Sequence, residues 1–165
     1  MSKNTEKVKL VEENIRQAFK DSPYPGDSNL VNIQGRYDFE RQEIFESFVG
    51  KHWEEVPLDT LKFHHEALCF FKPEAYRFYL PAYLLATAKS YYQADNIPNS
   101  VVYGLDVSDM PDNERERFME IMSGFSDQQK KAILSFLRFL QQEYSPNFPG
   151  NELDSIIDNF WIKFE

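Results

Sequence analysis

Residues 70–86 have the sequence FFKPEAYRFYLPAYLLA, and this stretch decides how the chain is expected to fold. Its apolar and aromatic side chains cover every side of a helix instead of forming one stripe. A helix that is apolar all round is normally buried. We therefore expect a central helix from Pro73 to about Tyr92, around which the other helices pack.

Two prolines shape this helix. Pro73 suits its first position, where the missing N–H removes no hydrogen bond. Pro81 lies in the interior, where it cannot donate to the carbonyl of Arg77 and its ring crowds that oxygen. We expect a kink or a break at Pro81.

Periodicity and capping signals predict further helices on both sides. Ser126 and Gln129 have the pattern of a capping box, which marks the start of a helix. Residues 93–111 carry Asn, Pro, Gly and Asp at short intervals and are predicted to form a long loop, with strand character only in Ser100–Leu105. The predicted helices cover residues 3–19, 38–49, 58–64, 73–92, 112–123 and 126–144, with a last helix after Asn151 whose stripe ends at Phe164.

These elements define the predicted architecture. For Glu66–Phe71, a helix and an extended chain are both compatible with the sequence. We predict an all-α protein, an irregular bundle of about six helices around a Pro-kinked central aromatic helix. A length of 165 residues favours one domain, and no linker divides the sequence. Residues 1–165 are therefore expected to form a single helical domain.

The composition is acidic and aromatic, with a formal net charge of −9 and 16% aromatic residues. A strongly negative chain repels phosphate groups, and Lys130–Lys131 is its only basic doublet. We therefore expect neither nucleic acid nor a membrane as a partner. The same charge tolerates a positively charged protein partner, but acidity that only keeps the protein dissolved is the favoured interpretation.

The single cysteine and the apolar runs bear on location. Cys69 excludes an intramolecular disulfide, and its neighbours Leu68, Phe70 and Phe71 predict a buried, inert thiol. The uncharged run 78–88 is too short to span a bilayer. The residues after Met1 lead into a charged helix, so we expect no signal peptide and a cytoplasmic location.

Signatures of metal binding and of catalysis are weak. His65 and Cys69 would share one face of a helix, but a zinc site needs three or four ligands and no further ligand has a recurrent spacing. The sequence contains no Gly-x-Ser-x-Gly motif and no Walker loop. We expect no metal and no cofactor.

Tyrosines on the central helix have two interpretations. They line a groove that binds a partner, as aromatic anchors do, or they belong to an aromatic core with hydroxyls that reach a carbonyl or the surface. The second interpretation is favoured. Seven residues are the candidates for ligand or partner binding: Trp53, His64, His65, Tyr76, Arg77, Tyr79 and Tyr83.

The motif Tyr-Leu-Pro-Ala-Tyr at residues 79–83 is preceded by Trp53 and Leu61 and followed by Phe118 and the Ser126 capping box. This order resembles a family of small, functionally uncharacterised, mainly bacterial proteins marked by a Tyr-Leu-Pro-Ala-Tyr core. The resemblance covers roughly residues 44–140. It implies an intact helical domain, and no activity or catalytic residue comes with it.

The leading hypothesis is a non-catalytic cytoplasmic protein that binds and regulates another protein, for example by neutralising a toxin. It rests on the acidic surface, the many aromatics and the missing catalytic signatures. A second hypothesis places a homodimer contact on the wide apolar stripe of Leu153–Phe164.

The rival hypothesis is an enzyme or a small-ligand-binding protein with an unfamiliar site. Its candidate groups surround one aromatic segment and would have to converge in a pocket. They are His52, His64, His65, Tyr76, Arg77 and Tyr79.

Overall fold

The computed structural model describes residues 2–165, which are helical apart from connecting turns and one isolated antiparallel bridge between Val31 and Phe71. The all-α prediction is confirmed. Nine α-helices lie within the described residues: α1 (Lys3–Phe19), α2 (Phe39–Phe48), α3 (Leu58–Phe63), α4 (Ala67–Phe70), α5 (Pro73–Lys89), α6 (Ile97–Leu105), α7 (Asp112–Ser123), α8 (Asp127–Tyr144) and α9 (Glu152–Asn159).

The expected number of about six helices is too low, chiefly because α6 replaces the long loop predicted for residues 93–111. Ile97, Val101 and Leu105 are fully buried and follow each other at a spacing of four residues. That spacing places them on one helical face. Burial of this face outweighs the preference of β-branched valines for a strand.

Contacts within the chain divide it into two compact units, residues 22–104 and a unit formed by the segment up to Asp21 together with Leu105–Glu165. The single domain predicted for the whole chain stays a prediction.

In the unit that contains both ends of the described chain, α1, α9 and the final 3-10 turn Trp161–Phe164 pack against α8. The predicted capping box is confirmed, since the N–H of Gln129 donates to Ser126 Oγ at 3.1 Å and the N–H of Ser126 donates to Gln129 Oε1 at 2.9 Å. The last helix ends at Asn159, and a 3-10 turn carries the rest of the expected stripe.

Most apolar side chains of this C-terminal stripe are buried within the chain. Its buried members are Leu153, Ile156, Ile157, Phe160 and Trp161. The homodimer proposed for the same stripe stays a prediction.

Helix α5 is the core of residues 22–104, and every residue from Phe78 to Ala88 on it is buried. The helix continues through Pro81, so the alternative of a break is wrong and a bend stays a prediction. It ends three residues earlier than expected, at Lys89, where the N–H of Ser90 donates to the carbonyl of Ala86.

Tyr79 joins α5 to the end of α2. Its hydroxyl lies 2.8 Å from the carbonyl oxygens of both Phe48 and Lys51. Its ring stacks on Phe71 and meets the edge of Phe48. Burial raises the pKa of Tyr79, so the hydroxyl stays a protonated donor.

Across residues 2–165, none of the helices combines the length and the apolar character needed to cross a bilayer.

Candidate functional site

Polar and aromatic side chains of residues 22–104 line two cavities beside His64, which share the lining residues Glu43, Phe63 and His64. We call the two together the His64 groove. The Ser47 cavity has a volume of about 370 Å³ and is lined by Glu43, Glu46, Ser47, Asp59, Thr60, Phe63 and His64. The Phe70 cavity has a volume of about 220 Å³ and is lined by Glu40, Glu43, Ile44, Phe63, His64, His65, Glu66, Ala67 and Phe70.

Helix α2 supplies one wall of the groove. Asp38 caps this helix, since its carboxylate accepts from the N–H of Arg41 at 3.4 Å and from the N–H of Gln34 at 2.8 Å. The Gln34 N–H is the main cause of the lowered pKa of Asp38. Glu40, Glu43 and Ser47 follow at intervals of three and four residues, so they lie on one side of α2.

Three contacts hold His64 at the end of α3. Its N–H donates to the carbonyl of Thr60 at 2.9 Å, its carbonyl accepts from the hydroxyl of Tyr83 at 2.7 Å, and its ring Nε2 lies 2.9 Å from Ser47 Oγ. The ring also meets the Phe63 ring at a centroid distance of 4.8 Å. The position of the imidazole is therefore set by α3, by the core helix and by α2.

The groove is strongly acidic. Neither cavity has a lysine or an arginine among its lining residues, whereas five carboxylates line them: Glu40, Glu43, Glu46, Asp59 and Glu66. Burial lowers the pKa of His64, and the carboxylate of Glu43 opposes this only in part. His64 is therefore neutral at pH 7 and does not offset the negative charge.

Two neighbouring basic side chains pair with carboxylates that do not line the two cavities. Arg41 pairs with Asp38 at 3.3 Å, and Lys62 pairs with Asp95 at 3.1 Å. Neither of these two ion pairs includes a carboxylate that lines the groove.

Of the seven candidates named from the sequence, the structure brings His64 and His65 together at the groove. Tyr83 supports the groove from the core through the carbonyl of His64. Trp53, Tyr76 and Tyr79 are buried, and Arg77 is half-buried. None of these four is among the lining residues of the two cavities, and their role in binding stays a prediction.

His52 of the rival hypothesis lies in another contact set. Its Nδ1 accepts from the N–H of Glu54 at 3.2 Å and caps the 3-10 turn Trp53–Glu55. Its ring packs against the rings of Trp53 and Phe78. His52 therefore caps a turn and is not among the lining residues of the His64 groove.

The prediction of a buried Cys69 is wrong, because the thiol is exposed. On the short helix α4, Ala67 and Leu68 point inward and Cys69 points outward. The His65 ring, which was weighed as a metal ligand beside Cys69, lies with Nδ1 3.0 Å from Ser100 Oγ on α6. In the part of the chain that the structure describes, no three His, Cys, Asp or Glu side chains are placed to hold a metal ion.

Sequence reasoning missed the acidic lining and the exposed Phe63. The spacing of Glu40, Glu43 and Ser47 on a predicted helix was a readable signal for one wall. The other wall comes from Asp59 and the residues after it, and only tertiary packing brings it opposite α2.

Comparison with curated proteins and with solved structures gives no match. A family model does match, and it covers residues 7–164, which extends beyond the resemblance noted at residues 44–140. The expectation of a functionally uncharacterised domain family is confirmed, while its core motif and its bacterial range stay predictions. The chain belongs to the family of unknown function DUF6714.

Proposed function

We propose that this protein is a non-catalytic, cytoplasmic binding protein whose His64 groove accepts a positively charged segment of another protein. The proposal rests on one observation. Five carboxylates line the groove, and none of its lining residues is a lysine or an arginine. Charge complementarity of this kind speeds encounter and selects the partner.

The size of the Ser47 cavity supports a side chain as the inserted group. A volume of about 370 Å³ lies at the small end of ligand sites, which span roughly 300–1,000 Å³. A lysine or arginine side chain of a partner would enter between Glu46 and Asp59, which line the Ser47 cavity from α2 and α3. The formal net charge of −9 adds a long-range attraction for basic partners.

Phe63 supplies an apolar contact at the same place. Its side chain is 72% exposed, although it lines both cavities. Aromatic side chains, including phenylalanine, are enriched at contact sites between proteins. The partner we propose therefore carries an apolar residue next to its cations, and covering such a basic surface would neutralise a toxin or regulate an enzyme.

A peptide titration tests the proposal. A fluorescein-labelled peptide rich in lysine and arginine with one leucine is added to the full chain, and fluorescence anisotropy gives the dissociation constant. The variant Glu46→Gln/Asp59→Asn should weaken binding about fivefold or more, because both carboxylates line the Ser47 cavity. Raising the salt concentration should weaken binding of the unaltered chain as well.

The matched control is Asp112→Asn/Glu114→Gln, which removes the same charge from exposed positions at the start of α7. This variant should bind as the unaltered chain does. Equal losses in both variants would show that bulk charge alone attracts the peptide, and the groove would lose its assigned role. Absence of binding to any basic peptide would contradict the proposal outright.

A second candidate is an enzyme that transfers an acyl group, and one observation favours it. Ser47 Oγ lies 2.9 Å from His64 Nε2, and the lowered pKa of His64 keeps the imidazole neutral, as a general base requires. Against it, the carboxylates of Glu46 and Asp59 would repel the oxyanion that forms during acyl transfer.

Labelling with a fluorophosphonate probe tests this candidate. An activated serine displaces fluoride from the probe and forms a covalent adduct, which mass spectrometry of the digested chain would locate at Ser47. Ser100→Ala, which alters the other serine that bonds a histidine, serves as control and should keep the adduct. If Ser47 stays unlabelled, the hypothesis of an acyl-transferring enzyme is wrong.

A further inference from the structure

We propose that the Phe70 cavity binds an alkylammonium group, such as a trimethylammonium head group, against the rings of Phe63, His64 and Phe70. A free organic cation would occupy this cavity without any protein partner, so the site goes beyond the proposed function. The volume of about 220 Å³ is below the roughly 300–1,000 Å³ of pockets for larger ligands. The cavity therefore suits a head group of few atoms.

Two aromatic rings that are in edge-to-face contact line the cavity. The planes of Phe63 and His64 stand at 88° to each other, with centroids 4.8 Å apart. An aromatic face attracts a cation that lies within about 6 Å of its centroid, and paired rings are the usual device for quaternary ammonium groups. Because Phe63 is largely exposed, a ligand reaches its ring from solvent.

The third ring already carries a cation of the chain itself. The guanidinium carbon of Arg41 lies 5.0 Å from the centroid of the Phe70 ring. The same guanidinium pairs with the carboxylate of Asp38, which compensates its charge. The Phe70 ring thus already contacts one cation, and the carboxylate of Asp38 compensates the charge of that cation.

The remaining lining matches the chemistry of an alkylated ammonium. Methyl groups on nitrogen donate no hydrogen bond, so the group needs apolar contacts and diffuse negative charge. Ile44 and Ala67 supply the apolar contacts. The carboxylates of Glu40, Glu43 and Glu66 supply the charge, and His64 is neutral at pH 7.

A comparison of choline with 3,3-dimethyl-1-butanol tests the site, because the two molecules share a shape and differ in charge. Each is titrated into the full ¹⁵N-labelled chain, and amide chemical shifts of residues 40–44 and 63–70 are followed. Choline should bind about three- to fivefold more tightly than the neutral molecule. Equal binding of the two molecules, or no shift with choline, overturns the proposal.

Variants separate this site from general acidity. Phe63→Ala should reduce choline binding. Because the Phe63 side chain is exposed and does not stabilise the fold, the circular dichroism spectrum of this variant should match that of the unaltered chain. Glu40→Gln/Glu66→Gln should weaken choline binding about two- to fivefold, whereas Glu46→Gln/Asp59→Asn, which removes the same charge from the Ser47 cavity, should not. Equal weakening by both double variants contradicts the site.

Two sources of the group are distinguished by a further titration. A peptide with trimethyllysine is compared with the same peptide carrying unmodified lysine. Preference for trimethyllysine assigns the group to a protein side chain, and choline binding without that preference assigns it to a small molecule. Failure of choline to bind leaves the basic-peptide result of the proposed function unaffected, since that result depends on Glu46 and Asp59.

Discussion

The hydroxyl of Tyr83 donates a hydrogen bond of 2.7 Å to the carbonyl oxygen of His64. Tyr83 is fully buried on α5, whereas the imidazole of His64 lines the groove. Burial raises the pKa of Tyr83 well above its ordinary value, so the donor is protonated at every physiological pH. One side chain therefore connects the core helix to the histidine of the candidate site.

Tyr83→Phe should lower the free energy of unfolding by about 1–2 kcal/mol, because a part-buried carbonyl loses its donor while the ring is kept. Urea denaturation measures the change. Tyr103→Phe is the control, since Tyr103 is 65% exposed and should change stability by less than about 0.5 kcal/mol. Indistinguishable midpoints for the two variants would mean that the bond contributes nothing.

The two tryptophans form a natural matched pair, since both are buried. Trp161 Nε1 donates to the carbonyl of Leu105 at 3.0 Å, whereas Trp53 Nε1 has no acceptor among the described residues. Both changes to Phe remove similar volume, but only Trp161→Phe also breaks a hydrogen bond. We expect Trp161→Phe to cost about 1–2 kcal/mol more than Trp53→Phe in urea denaturation. An equal or larger loss for Trp53→Phe contradicts this.

The start of α8 offers a test of local stability. Ser126→Ala removes the side chain that accepts from the N–H of Gln129, and should cost about 1 kcal/mol of unfolding free energy. Gln128→Ala alters an exposed neighbour on the first turn and should leave thermal and urea midpoints nearly unchanged. If both variants unfold alike, the capping box does not stabilise the helix.

The capping box also illustrates which parts of the fold the sequence predicts. Local signals placed α1, α2, α7 and α8 to within a residue or two, because caps and periodicity act over a few positions. Local signals failed for α6, where Val101 and Val102 favour a strand but are buried on a helix. At Pro81 the local penalty for proline is likewise outweighed by the burial of all its neighbours.

The site was less predictable than the fold. His64 and His65 stood out by residue type, and the three tyrosines stood out by spacing. Burial assigns Tyr76, Tyr79 and Tyr83 to the core, which spacing alone does not reveal. The contact of Ser47 with His64 joins positions 17 residues apart, with the 3-10 turn Trp53–Glu55 and helix α3 between them, so no periodic pattern encodes it.

Acidification provides the last prediction. Burial holds the pKa of His64 below its ordinary value of 6.5. Below pH 6.5 the unfolded chain therefore binds a proton that the folded protein resists, and stability falls as the pH is lowered toward the folded pKa. In His64→Gln, which keeps an acceptor for Ser47, urea midpoints should fall less between about pH 7 and 5 than in the unaltered chain. A His64→Gln variant that loses as much stability as the unaltered chain would show that another group is responsible.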